Sequence, residues 1–126
     1  MNINLLKRIN LIYILLIVIT LPSLSTTNTP TQWLEIRSAK IGVQFVDVTS
    51  LEETSDKIIR FNSIFIPDTD SQMHSEKYIM TVDCTNDLYI DLSINGSNNL
   101  NKKWIDSKDD ILLKKVISKS CDLYYN

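Results

Sequence analysis

Apolar and polar residues alternate with a period of two from Trp33 to Ile94, then recur at helical spacing toward the C-terminus. Trp33–Arg37 reads as a short first strand, and Gly42 punctuates the chain before Val43–Val48. A polar break at Glu52–Asp56 precedes the run Lys57–Ile66, which Pro67 closes. Within that run Ile59, Phe61, Ser63 and Phe65 point one way, and Ile58, Arg60, Asn62 and Ile64 the other. Tyr78, Met80, Val82 and Cys84 share one face of the next strand. The Thr85-Asn86-Asp87 turn then leads into Leu88–Ile94, where Leu88, Ile90, Leu92 and Ile94 are expected to face the core. Such short connections permit only antiparallel pairing.

The period changes after the polar loop Asn95–Asn99. Trp104 and Ile105 are expected to re-enter the core, and Ser107 to cap a helix with Asp109 and Asp110 in its first turn. Leu113, Val116, Ile117 and Cys121 follow at i, i+3, i+4 and i+8, one stripe of that helix. So short a helix is marginal alone in water, so its stripe must be buried on the sheet. The expected fold is therefore α+β: an antiparallel sheet of about five to six strands with one C-terminal helix packed on it. Cys84 ends a strand on its apolar face, and Cys121 lies in the last turn of the helix that packs there. The two can form a disulfide worth about 3–4 kcal/mol by closing the loop between them; the competing arrangement is two buried free thiols.

The N-terminus adds an address. Lys7 and Arg8 precede the apolar run Leu11–Leu21, Pro22 ends it, and Ser23 and Ser25 supply the small residues of a cleavage site. A membrane-spanning helix needs about 20 apolar residues, roughly twice this run, so a cleaved signal peptide is favoured over a retained anchor. The division is residues 1–25 as signal peptide, 26–32 as a flexible leader, and 33–126 as one domain. No cysteine stands near the cleavage region to accept a lipid, and no stable membrane insertion is expected after cleavage. Exposure to an oxidising compartment, the periplasm or the cell surface and beyond, suits the disulfide.

Charge narrows the partners. Removing Lys7 and Arg8 from 13 basic residues leaves 11 against 15 acidic ones, a net charge of −4. Such a body offers no basic face to nucleic acid or anionic lipid. Lys102, Lys103, Lys108, Lys114, Lys115 and Lys119 resemble a patch, but are expected to form a solvated face paired with Asp106, Asp109 and Asp110.

Catalytic chemistry finds few candidates. His74 is the single histidine, in a polar loop without a partner. Asp68-x-Asp70 starts like a calcium loop but lacks its glycine and closing glutamate. With Gly42 and Gly96 alone, neither a phosphate-cradling loop nor a nucleophile elbow can be built. No enzyme activity, cofactor or metal is expected. Trp33 and Trp104 sit beside apolar neighbours at element edges and read as core or rim packing. Asn95-Gly96-Ser97 is formally a glycosylation sequon.

An ordered set of residues supports a resemblance. It comprises Trp33-x-x-Ile36, Phe45-Val46-Asp47-Val48-Thr49-Ser50-Leu51, the strand Ile58–Phe65, Ser75–Tyr78, Val82-Asp83-Cys84, Trp104, and a helix closing with Val116 and Cys121. This resembles the surface-adhesin protein E-like family of small exported bacterial proteins. The resemblance implies a curved antiparallel sheet tied to a C-terminal helix by Cys84 and Cys121. It also implies structural roles for Trp33, Asp47, Ser50, Asp83 and Trp104. The best-known member binds host extracellular-matrix proteins and dimerises, so the implied partners are a protein or a second copy of the chain. The missing lipid acceptor keeps a periplasmic structural or regulatory role as the alternative.

Overall fold

The computed structural model describes residues 30–69 and 74–126; the expected signal segment, leader residues 26–29 and loop residues 70–73 lie outside the described residues. In chain order the strands are β1 (Trp33–Ser38), β2 (Gly42–Asp47), β3 (Glu52–Ser55), β4 (Ile58–Pro67), β5 (Glu76–Asp83), β6 (Leu88–Ile94), β7 (Ser97–Asn98) and β8 (Ile105–Asp106). A 3₁₀ turn spans Val48–Ser50, and helix α1 runs Ile111–Tyr125. All pairings are antiparallel, in the order β1-β2-β4-β5-β6-β7, with β3 on β4 and β8 on β6. The β-branched and aromatic alternation of β4 makes it the centre, flanked by β2 and β3 on one side and β5 on the other. The segment Glu52–Asp56, expected as a polar break, instead supplies β3 and the turn into β4.

Helix α1 covers one face of this sheet. Leu112, Val116 and Ile117 pack on Ile36, Val46, Ile59, Phe61, Met80 and Val82, all buried. Each of the larger side chains contributes about 1.5–3 kcal/mol by leaving water. Cys84 and Cys121 close a disulfide across a sequence separation of 37, with Cα atoms 5.8 Å apart, so the helix is tied to the end of β5. A second clasp holds the C-terminus. Tyr125 Oη donates to Glu53 Oε1 at 2.7 Å, Glu53 N donates to Tyr124 Oη at 3.3 Å, and Lys57 Nζ lies 3.9 Å above the Tyr125 ring. The hydrogen bond from Tyr125 holds the Glu53 carboxyl below its ordinary pKa.

Glycine is required where β2 begins. Gly42 has φ +143°, and a Cβ there would lie 2.3 Å from the Ile66 carbonyl oxygen.

Five expectations are corrected. The helix is capped by Asp110, whose Oδ1 accepts from Leu113 N at 2.9 Å. Ser107, the expected cap, is fully buried and its Oγ donates to Asp87 O at 2.8 Å, anchoring the approach to the helix on the β5–β6 turn. The buried stripe is Leu112, Val116, Ile117 and Ser120, with Leu113 and Cys121 at its margin. In β6 the set beneath the helix is the opposite one, although Ile90 is buried as expected. Tyr89 and Asp91 lie across from Val82 and Met80 beneath the helix, while Leu88 and Ile90 lie across from Asp83 and Thr81 on the far face. Alternation sorts residues into two sets, but the pairing with β5 decides which set is covered. A bulge between Ile79 and Met80 then makes Leu92 the extra residue, and Ile94 comes opposite Tyr78.

Trp104 and Ile105 do not re-enter the core: they are 42% and 46% exposed, at an edge strand that pairs only with β6 among the described residues. Nor do the C-terminal lysines pair with acids. Among the described residues the two ion pairs are Arg37–Glu35 and Arg60–Glu52. Asp106 Oδ1 instead accepts from Lys108 N, and Asp110 Oδ1 from Leu113 N. Backbone amides nearby hold these carboxylates, and Lys115 Nζ donates instead to Arg37 O at 3.4 Å.

Candidate functional site

One face of the sheet lies under α1; on the other, Thr81, Ile90 and Ser93 are buried while Arg60, Asn62 and Ile79 meet water. On that open face β4, β5 and β6 form the floor of a groove of about 970 Å³. Thr49, Ser50 and Glu52 wall it on one side, and Asn98, Asn99, Leu100 and Lys102 on the other. Period-two geometry brings Arg60 and Asn62 of β4 and Ile79 of β5 to this floor, since their neighbours Phe61 and Met80 are buried against the helix. The Arg60 guanidinium pairs with the Glu52 carboxylate at one wall. A second depression of about 370 Å³ continues past Ile79 toward Trp33, Asp47, Ile64 and Lys77. Asn62, Ile79 and Ser93 line both hollows, so they form one continuous surface.

That surface mixes apolar anchors with polar margins. Ile79 is 39% exposed and Leu100 is 96% exposed. Asn62 and Asn98 supply amides, and Arg60 and Lys102 supply cations. Aromatic and apolar groups inside a polar rim are what protein partners use; nothing there pairs a nucleophile with a base.

The residues singled out in the sequence occupy distinct positions. Trp33 opens edge strand β1 opposite Asp47 and lies at the rim. Asp47 caps the 3₁₀ turn, its Oδ1 accepting from Thr49 N at 3.0 Å and Thr49 Oγ1 at 2.6 Å. Ser50 Oγ donates to Asp47 O at 2.7 Å and accepts from Asn62 N at 2.8 Å, which welds the turn to β4 and shapes the groove wall. Asp83 holds the β5–β6 turn, its Oδ1 accepting from Thr85 N and Asn86 N and its Oδ2 from Asn86 Nδ2. Those bonds, the Asn86 side chain first, lower its pKa. Trp104 stands apart near β8. His74 is exposed, and Asn95 of the sequon accepts from Lys77 N through its Oδ1 at 2.8 Å.

Asp91 had no mark in the sequence beyond its place in an alternating strand. It lies on the helix-covered side, where burial pushes its pKa up to about 6. A single charged residue at a polar position carries no signal until the strand register is known.

The model of the Surface adhesin-E family matches residues 34–126. The chain belongs to the Surface adhesin-E family. No curated protein and no solved structure matches it significantly. Membership makes the chain adhesin-like. The matched segment begins within β1 and takes in every later element, including the disulfide and the walls of the open groove. Among the described residues no helix is long and apolar enough to cross a membrane.

Proposed function

We propose that this member of the family is an exported binding domain that engages an extracellular protein through the open face of its sheet. The observation that carries this reading is the uncovered groove from Trp33 across Ile79 to Leu100, on the side of the sheet that α1 leaves free. Apolar anchors at the centre of a polar surface supply affinity once desolvated, and the ring of asparagines, Arg60 and Lys102 supplies orientation. Edge strand β1 adds unpaired backbone groups beside Trp33, so a partner's extended segment could lengthen the sheet. The role needs no catalytic group.

The test is binding of the purified, processed chain to a panel of immobilised extracellular-matrix proteins, with the Ile79→Glu variant alongside. Where the wild type binds, burying a glutamate in the contact is expected to weaken binding by about tenfold or more. A Lys119→Glu change on the exposed side of α1 should leave binding unaltered. Equal binding by the Ile79→Glu variant and the wild type would remove the open face from the mechanism.

A further inference from the structure

The second hollow of interest lies on the opposite side of the sheet, between β5–β6 and the first turn of α1, and encloses about 210 Å³. At about 30 Å³ per water it has room for roughly seven waters, below the size of a drug-like pocket. Phe65, Met80 and Leu113 form its apolar side; Gln44, Tyr89 and Asp91 are the polar groups that matter.

These polar groups present acceptors. Gln44 is 4% exposed, and its Nε2 is engaged with Ser63 Oγ at 3.0 Å and Met80 Sδ at 3.1 Å, which leaves the amide oxygen for the cavity. Asp91 Oδ1 is buried and has no hydrogen-bond partner. The Tyr78 hydroxyl is already donated to Glu76. Asp110 accepts from the helix amide of Leu113, so the anion-favouring end of the helix already holds its own carboxylate. No basic side chain answers this negative charge, because both ion pairs among the described residues lie elsewhere, at Glu35 and Glu52. A buried carboxylate oxygen without donor or counter-charge is costly, and a ligand that brings both relieves the cost.

We propose that this hollow binds a small organic ammonium group, with Asp91 as its counter-ion. An ammonium carries three donors and a positive charge on a short apolar stem. The charge meets Asp91 and the Gln44 oxygen, the Tyr89 ring flanks it, and the stem meets Phe65 and Leu113. A metal ion fits less well, since among the described residues no three His, Cys, Asp or Glu side chains converge. The same chemistry is offered by a free alkylamine or by a lysyl side chain of a bound peptide.

The test uses n-butylammonium and its uncharged counterpart n-butanol on the processed chain at pH 7.5, read by methyl NMR shifts of Met80 and Leu113. Saturable shifts at about tenfold lower concentration of the ammonium than of the alcohol are expected. The Asp91→Asn variant should erase that preference. So should lowering the wild type to pH 4.5, where Asp91 takes up a proton among its neighbours Tyr89, Asp110, Tyr78 and Glu76. The pH arm needs no variant and stands if Asp91→Asn fails to fold. Nα-acetyl-lysine methylamide separates the sources: binding as tight as butylammonium points to a lysyl side chain, weaker binding to a free amine. Equal response to ammonium and alcohol, a preference that survives Asp91→Asn or pH 4.5, or no saturable shift with any of these probes would overturn the proposal.

Discussion

The two faces of one sheet have been put to opposite uses. Beneath α1, Ile59, Phe61, Met80 and Val82 are no more than 1% exposed, and the disulfide and the Tyr125–Glu53 clasp hold the helix down on them. On the other face their immediate neighbours in sequence, Arg60, Asn62 and Ile79, meet water. A change of one position along a strand therefore moves a side chain from the centre of the core to the floor of a groove. Along β4 the residues serving stability and recognition alternate, so the two are separable there.

The largest expected effect tests that separation directly. Phe61→Ala should cost about 3–5 kcal/mol in a urea melt, whereas Asn62→Ala, its neighbour, should stay within about 0.5 kcal/mol. Comparable losses at the two positions would mean that the open face is covered in solution. Next in size, replacing Cys84 and Cys121 together by serine should remove about 3–4 kcal/mol, given the 37-residue separation. An unchanged denaturation midpoint would show that the core alone holds the helix.

Asp91 gives a smaller, pH-dependent effect. Its native pKa of about 6 lies above the ordinary 3.8 of an aspartate, so the folded state binds the proton more tightly. Stability from this group is therefore greatest below about pH 4, falls as pH rises through that interval, and stays low above pH 6. Asp83 and Glu53, whose pKa values are lowered, act in the opposite sense and lose their contribution as pH falls. Asp91→Asn isolates the first effect: it should stabilise by about 1 kcal/mol at pH 7.5, allowing for partial solvent screening, and by nothing at pH 4. A thermal melt of both proteins at the two pH values decides it, and a destabilised variant at pH 7.5 would show that the carboxylate has an attractive partner. The smallest effect is on the open face, where Ile79→Glu should shift stability by no more than about 0.5 kcal/mol. A larger loss in the melt would make Ile79 a core residue and disqualify it as a probe of binding.

Much of this architecture was legible in the residues. The alternation Ile59, Phe61, Ser63, Phe65 located β4 and its covered face, and Tyr78, Met80, Val82 did the same for β5. The pairing of Cys84 with Cys121 followed from each standing at the end of an element that had to meet the other. The open groove was less accessible, because its walls come from the 3₁₀ turn and from residues 98–102, which have no periodicity to announce them.

What local pattern could carry was the kind of element, its approximate span and the existence of two faces, since these depend on backbone period and side-chain polarity alone. Packing decided the rest. The helix began at Asp110 rather than Ser107 because Ser107 had a partner in Asp87, twenty residues away in the chain. Tyr89 and Asp91, rather than Leu88 and Ile90, came to lie beneath the helix because the Asp83–Asp87 turn set their register against β5. Both choices turn on hydrogen bonds between residues distant in sequence or on the geometry of one turn, and such long-range pairings leave no trace in hydrophobic spacing.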